Sequence, residues 1–358
     1  MKKITALLLI FCFLITGCSS AKTTSQETPE KTSEESSMAS DSTTTDNSNT
    51  ITVVNGEMPL PTKFDNFVAF GMTHLDHLVS LGVLPVAATM PTVTPDTPPE
   101  RVDYYNDGFA RLYKQGELNG VVDGVEPLSK NLEENLERII ELKPDFIIAT
   151  ESEEKYLSKL QAIAPTYLIQ GHIIDEATGM RDWRQVHRIY GKLLGKSEQA
   201  EDNIAKYDAL VKEYKDKIGD SVKGKTALIF QISSTGKGLW MSSKESAPQL
   251  YLDLGFELPE KFTLTGDYYA PEELVTLDPD YMFINIGSFE EYEKLTNNPI
   301  WKNLKAVKNG NVFEYSHYIW TKTSGFISNS VKLKDIGDFV LYGTQVGTYL
   351  SDKNNLKN

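Results

Sequence analysis

Arg181, Arg184, Trp240, Tyr268 and Trp320 stand in or beside segments that follow short apolar runs, and Tyr104 sits in a proline-rich stretch from Thr89 to Asp107. A guanidinium group donates two parallel hydrogen bonds to a carboxylate or similar pair of oxygens. Trp and Tyr supply flat apolar walls at small entropic cost. Together they suit the holding of a bulky, planar-edged, oxygen-rich ligand. Each also has a packing alternative: Arg181 and Arg184 begin a helix and suit its surface, and Trp183 between them suits its buried face. The sequence carries no Gly-x-Ser-x-Gly elbow, no phosphate-cradling glycine loop and no His-Glu-x-x-His, so catalysis is not the expected chemistry. Of the five His, a metal-binding set would have to be assembled from His74, His172 and His317 with Asp267. His74 and His77, three apart at a helix start, read more simply as structural, and no metal site is expected.

A different chemistry is written at the start of the chain. Lys2 and Lys3 precede an apolar run from Ile4 to Ile15, about a dozen residues, which suits a signal peptide and is too short to span a bilayer. Ile15-Thr16-Gly17-Cys18 follows at once and resembles the lipobox of bacterial lipoproteins. That resemblance implies cleavage after Gly17, so that residues 1–17 are a signal peptide, and a diacylglyceryl group on Cys18. The other cysteine, Cys12, leaves with the signal, so the mature chain has no internal disulfide. Residues 18–50 are rich in Ser, Thr, Glu, Asp and Lys, too polar to offset the entropy of ordering, and are expected to be a disordered tether. The formal charge of −14 argues against nucleic acid or anionic lipid as a partner of the folded body, leaving the lipid anchor as its membrane contact.

The elements that must position the ligand residues alternate. Short buried strands are expected at 66–70, 83–87, 146–149, 166–169, 226–231, 281–286 and 312–315. Helices are expected at 75–81, 132–142, 155–163, 182–194, 247–253, 271–277, 300–304 and 329–349. This rhythm predicts an α/β fold with mainly parallel sheets. Ala200, Ile204, Tyr207, Leu210, Val211 and Tyr214 form a helical stripe within Ser197 to Ile218, long enough at about 1.5 Å per residue to join two lobes rigidly. The expected division is an N-terminal lobe over 51–196, an interlobe helix over 197–220 and a C-terminal lobe over 221–358. In such a fold ligands sit at the carboxyl ends of strands.

Two stretches echo one another: Asn135 to Ile148 (NLERIIELKPDFII) and Ala270 to Phe283 (APEELVTLDPDYMF). In each, a Glu is followed seven residues later by Pro-Asp and then by an apolar strand. A helix is expected to begin near each Glu, where the charge favours a helix N-terminus, and Leu-x-Pro-Asp to end it.

The lipobox, these two blocks, the central helix and the segment Asn298 to Tyr315 (NPIWKNLKAVKNGNVFEY) together resemble the substrate-binding proteins of ATP-driven ferric-siderophore and cobalamin importers, over about residues 64–345. The resemblance implies two Rossmann-like lobes joined by one long helix, with the ligand in the cleft between them. It implies a monomer at the extracellular face of the cell membrane, with no resident cofactor, that captures an Fe(III)-siderophore and hands it to an ABC-transporter permease dimer with its ATPase. It also implies one Glu on each lobe for docking on the permease. By motif position these are Glu137 and Glu272, with Glu126, Glu134 and Glu273 as neighbours of similar type. Hydroxamate ligands are favoured over catecholates. Haem or cobalamin as cargo, or a tethered sensing or adhesion module, are the alternatives. The proline-rich stretch is longer than in many relatives and blurs the cleft mouth.

Overall fold

A computed structural model describes residues 49–89, 125–129, 131–243, 246–262, 266–315 and 317–345. The segment expected to be a signal peptide, Cys18, nearly all of the expected tether, Tyr104 and most of the proline-rich stretch lie outside the described residues. From residue 48 onward the chain forms one contact unit.

Two five-stranded sheets flank the central helix. The first is wholly parallel, in the spatial order Glu126–Leu128, Ala87–Thr89, Phe67–Ala69, Phe146–Ala149, Thr166–Leu168. Its apolar residues are buried on both faces, as continuous apolar strands require. Phe67, Ala69, Phe146 and Ile148 join one core, while Val68, Ile147, Ala149 and Leu168 join another. The second sheet has the order Asp267–Tyr269, Leu239–Met241, Ala227–Ile232, Tyr281–Ile286, Val312–Glu314. Its last three strands are parallel, Leu239–Met241 runs against them, and Asp267–Tyr269 runs against Leu239–Met241 in turn.

The central helix spans Ser197–Ile218 and buries Ala200, Ile204, Tyr207, Tyr214 and Ile218. It packs between the helix Trp183–Leu193 and the last helix, Phe326–Tyr342. Through these three helices one continuous core runs from Phe67 and Phe146 of the first sheet to Phe283 and Phe313 of the second. The link between the lobes is therefore packed side chain as well as chain connectivity, which limits how far they can hinge.

Several expected elements are displaced. The strand expected at 83–87 begins where that range ends, at Ala87. The helix expected over 155–163 is a 3₁₀ turn, Glu151–Tyr156, closed by a capping box between Thr150 and Glu153, followed by a short helix, Leu157–Gln161. The last helix ends at Tyr342, with Gly343 as a left-handed cap (φ 68°). The helix of the first echo block keeps its expected range of 132–142, and it is the reading that a helix begins near Glu137 that fails. The helix starts at Leu132, because Asn131 caps it by accepting from the N–H of Glu133 and because Leu132 and Asn135 extend the buried stripe toward its start. A hairpin, Thr50–Val53 with Gly56–Pro59, is an element the sequence reading lacked. Asn55 in its turn donates to Thr166 O (2.9 Å) and accepts from Leu168 N (2.9 Å), which closes the edge of the first sheet.

Candidate functional site

The carboxyl ends of four first-sheet strands open onto one cavity of about 430 Å³ between the lobes. Gly71 follows Phe67–Ala69, Thr89 ends Ala87–Thr89, Thr150 follows Phe146–Ala149, and Gly171 and His172 follow Thr166–Leu168. The opposite wall comes from the second half of the chain: Pro248 and Gln249, Trp320 to Ser324, and Asn329 and Lys332 of the last helix. This is where an α/β fold places a ligand, and the volume lies in the range of small-molecule sites. Gly71 is fixed by close approach: its φ is +87°, and a Cβ there would lie 2.6 Å from Thr150 Cγ2.

Two of the expected ligand residues line this cavity, Arg181 and Trp320, together with Trp183. Trp320 is stacked on Tyr315 with 4.8 Å between ring centroids and lies against Phe283 and Phe313. Trp183 stands edge-on to Tyr207 at 5.2 Å and meets Phe326 of the last helix at 6.3 Å. Both indoles are buried, and neither N–H has a hydrogen-bond partner among the described residues. They combine the apolar wall expected of them with an unused donor.

The other expected residues lie elsewhere. Arg184 is turned to the central helix. Its guanidinium donates twice to Asp208 Oδ1 (3.0 and 2.6 Å) and lies 4.9 Å above the Tyr207 ring. The packing alternative describes it better than ligand binding. Trp240 and Tyr268 face one another across the antiparallel strands Leu239–Met241 and Asp267–Tyr269, 5.0 Å apart and partly exposed, with Lys237 Nζ 5.6 Å above Tyr268. Trp240 pairs with Gln231 near the end of Ala227–Ile232, and Tyr268 pairs with Trp240 on the outermost strand, yet neither ring lines the cavity. Tyr104 lies outside the described residues.

The sequence reading missed a pair of buried charges, Asp76 and Lys332, the second of which lines the cleft. Asp76, on the helix Met72–Ser80, is fully buried and reaches across to the start of the last helix. It accepts from the N–H groups of Gly325, Ile327 and Ser328, each at 3.0 Å. Burial pushes the pKa of Asp76 up, and these donors oppose the rise. Gly325 is needed for the approach, since a Cβ there would lie 2.5 Å from Asp76 Cγ. Beside it Lys332, also buried, donates to Thr323 O (2.8 Å) and Asn329 Oδ1 (3.2 Å). The acidic side of the cavity is Glu151, which accepts from Gly171 N, and Glu153, which accepts from Thr150 N and Oγ1.

The histidines do not converge on a metal. His74 is bound through Nδ1 to the Tyr190 hydroxyl, His77 Nδ1 to His187 Nδ1 (3.0 Å), and His187 Nε2 to the Asn203 amide (3.2 Å). Burial lowers the pKa of His74 to about 3 and of His187 to about 4, and lowers His77 as well, so the cluster is neutral at pH 7. Among the described residues no group of His, Cys, Asp and Glu is arranged to hold a metal.

On the outer surfaces, Glu137 and Glu272 are exposed and form no ion pair or side-chain hydrogen bond among the described residues. Their neighbours differ. Glu126 is engaged by Arg138 (2.7 and 2.8 Å), and Glu134 by Ser129 and Asn131. Three residues after each Glu stands an exposed β-branched side chain, Ile140 and Val275. A surface hollow of about 600 Å³ beside Ile140 is larger than the cleft cavity, but its walls come from one lobe and are mostly apolar (Leu136, Pro144, Ile163). The donors and charges suited to an oxygen-rich ligand are in the cleft.

The described residues contain no helix long and apolar enough to cross a membrane. A family model described as periplasmic binding protein matches residues 117–318. The iron-uptake system-binding protein of Bacillus subtilis is 30% identical over 227 residues, covering 61% of this chain and 68% of that protein. The probable siderophore-binding lipoprotein YfiY of the same bacterium is 31% identical over 244 residues, covering 63% and 71%. In fold, the triscatecholate siderophore binding protein FeuA from Bacillus subtilis, solved with ferri-bacillibactin, matches with a TM-score of 0.62 at 24% identity over 82% of this chain and 98% of its own. Staphylococcus aureus SirA, solved with staphyloferrin B, matches with a TM-score of 0.62 at 22% identity over 81% and 97%. These relatives are binding proteins, not enzymes. Two α/β lobes around a rigid helix, a cleft at the strand ends and a family match over more than half of its length place this chain in the periplasmic binding protein family.

Proposed function

We propose that the chain is a solute-binding lipoprotein of the extracellular membrane face, which captures an Fe(III)-siderophore in the interlobe cleft and presents it to the permease of an ABC importer. The observation that carries this reading is the cleft itself. A cavity of about 430 Å³ is walled by Trp183 and Trp320 and carries Arg181, Lys322 and Lys332. Those cations and the indole N–H groups match the oxygen-rich shell of a ferric chelate, whether hydroxamate or catecholate. The hydroxamate preference draws support from the iron(3+)-hydroxamate-binding protein FhuD of Bacillus subtilis, 28% identical over 278 residues. Relatives named for catecholate ligands support the other donor class equally.

Delivery needs a second surface. Glu137 and Glu272, each with an exposed aliphatic neighbour three residues on, offer one acidic and apolar knob per lobe for basic residues of a permease. Cys18 would carry the lipid, and the polar segment after it would let the body reach that permease. The protein acts as a monomer in this reading and makes or breaks no bond.

The experiment is intrinsic fluorescence of the soluble body, titrated with ferric hydroxamates, ferric catecholates, haem and free metal ions. Two of the four Trp line the cleft, so a siderophore should produce saturable quenching at stoichiometric ratio. No response to any ferric siderophore would overturn the reading.

A further inference from the structure

Lys332 lies on the last helix, two turns from its start, and is 5% exposed. Lysine is almost never buried to this degree without a counter-charge or a task. Its ammonium lines the cleft cavity and spends two of its three donors on Thr323 O and Asn329 Oδ1. The Asn329 acceptor is itself held. Asn329 donates to Gly325 O (2.8 Å) and accepts from Gln249 (2.8 Å), so the nitrogen cannot drift without breaking a network that spans three elements.

The charged groups around it come from every side. Asp76 approaches from the helix Met72–Ser80, but its oxygens already hold three backbone N–H groups. Arg181 approaches from the first lobe and lines the same cavity. Asp335 follows one turn on along the same helix and is buried, and Lys322 stands on the segment before it. Glu151 and Glu153 lie across the cleft, each engaged by backbone N–H donors. Asp253, on the element that carries Gln249, is bound to the Tyr207 hydroxyl. Asp76, Glu151, Glu153 and Asp253 thus already hold protein donors, and one ammonium donor of Lys332 remains for whatever enters.

We propose that Lys332 reads the charge of the ligand: its remaining N–H donates to an anionic oxygen of the bound chelate beside Arg181, so that the cleft selects ferric chelates of net negative charge, and capture at alkaline pH draws a proton from solvent onto the Lys332 amine. This rests on the siderophore reading above and narrows it. Three hydroxamates neutralise Fe(III), whereas three catecholates leave a trianion, so the two donor classes differ in what Lys332 would sense.

The direction of the pH effect follows from burial. Desolvation lowers the pKa of Lys332 to about 7 in the free cleft, with Asp76 opposing and Arg181 adding to the fall. An anion beside the amine favours its charged form, so the pKa is higher in the complex. The contribution of Lys332 to binding is then full below the free value and is lost as pH rises through the bound value, by up to about ten-fold per pH unit.

The test compares a ferric tricatecholate with a neutral ferric trihydroxamate, titrated against the unmodified chain, Lys332→Met and Lys332→Arg between pH 7 and 9. Calorimetry in two buffers of different ionisation enthalpy counts the proton in the unmodified chain. The expected result is that tricatecholate affinity falls with pH in the unmodified chain and proton uptake is measured at pH 8. Lys332→Arg, always charged, removes the slope, and Lys332→Met weakens tricatecholate binding about ten-fold or more at pH 7. Trihydroxamate affinity changes little in any of the three. If Lys332→Met does not fold, proton uptake by the unmodified chain decides. Tricatecholate binding without proton uptake, or with the same slope in Lys332→Arg, overturns the inference and leaves the siderophore reading standing. Trihydroxamate binding with refusal of the tricatecholate does the same. Failure of both chelates to bind overturns both.

Discussion

The blocks around Glu137 and Glu272 share a plan and differ in what supports it. Ile139 and Leu274 are both fully buried. Ile140 and Val275, one position on, are 56% and 54% exposed. Lys143 and Asp278 then end the two helices in the left-handed region, with φ of 49° and 31°, the two non-glycine residues with positive φ among those described. Pro and Asp follow, and then a buried strand. What differs is the scaffold. The first helix is eleven residues long with an Asn131 cap, and its turn is fastened by the Asn66 amide, which donates to Leu142 O and Lys143 O. The second helix has five residues, with Glu272 itself at its N-cap, and its turn is fastened by Asp280 to Thr226 and by Asp278 to Lys305. The shared positions present a Glu and an aliphatic group outward and set the turn. The divergent ones answer to local neighbours. Two lobes thus offer matching outer surfaces on unlike supports, as a docking role for both would require.

Four experiments probe the match between the two blocks. The largest effect is expected from Glu137→Ala with Glu272→Ala: uptake of a labelled ferric siderophore by whole cells should fall to background while affinity in solution is unchanged. Uptake at the unmodified rate would leave the matched knobs without a function.

The next contrast is one of acid sensitivity. The first lobe holds the His74, His77 and His187 cluster, and nothing similar supports the second block among the described residues. These groups have folded-state pKa values far below their unfolded value of about 6.5, so the unfolded chain binds more protons as pH falls. The stability these three histidines contribute is full above about pH 6.5 and is lost as pH drops toward 4, by several kcal/mol in total, since each ten-fold fall in a group's proton affinity on folding is worth about 1.4 kcal/mol. Urea unfolding at pH 7, 6 and 5 measures it, and an unchanged midpoint would contradict the burial argument.

Third, Ile139→Ala and Leu274→Ala should each cost about 2–5 kcal/mol, because each leaves a cavity under its helix. A negligible cost for one of them would end the equivalence of the two blocks. Smallest is the turn. Lys143→Gly should stabilise by about 1 kcal/mol by relieving the left-handed conformation. Asp278→Gly should gain less or lose, since Asp278 Oδ1 accepts from Lys305 N at 2.9 Å. Equal gains in denaturant midpoint would show that the support does not matter.

The echo was legible because both blocks are local. An apolar stripe, a Pro-Asp stop and a buried strand fit within fourteen residues, and the helix Leu132–Leu142 and the strands Phe146–Ala149 and Tyr281–Ile286 fall where the sequence places them. The hairpin at 50–59 contains Asn55-Gly56, but its ladder pairs Val53 with Gly56, so the turn is Val54-Asn55 and the dipeptide is not the turn itself. Of the cleft, Arg181 and Trp320 were legible as cation and aromatic after a strand. Arg184 was not separable from Arg181, because the partner that claims it, Asp208, lies on another helix. Trp240 and Tyr268 misled because segments that read as loops are paired strands, in which the two rings meet each other and not the cavity. Asp76 and Lys332 gave no signal at all. The Asp76 contacts span 249 or more positions, and each residue alone reads as a solvated helix charge.

In the proposed function, capture belongs to the cleft and docking to the outer knobs. Equilibrium dialysis of one iron-59-labelled ferric siderophore, against the unmodified body, Arg181→Ala and the Glu137→Ala, Glu272→Ala pair, tests it most directly. The account predicts a large loss of binding for Arg181→Ala and none for the Glu pair. Retained binding by Arg181→Ala with loss in the Glu pair would contradict it.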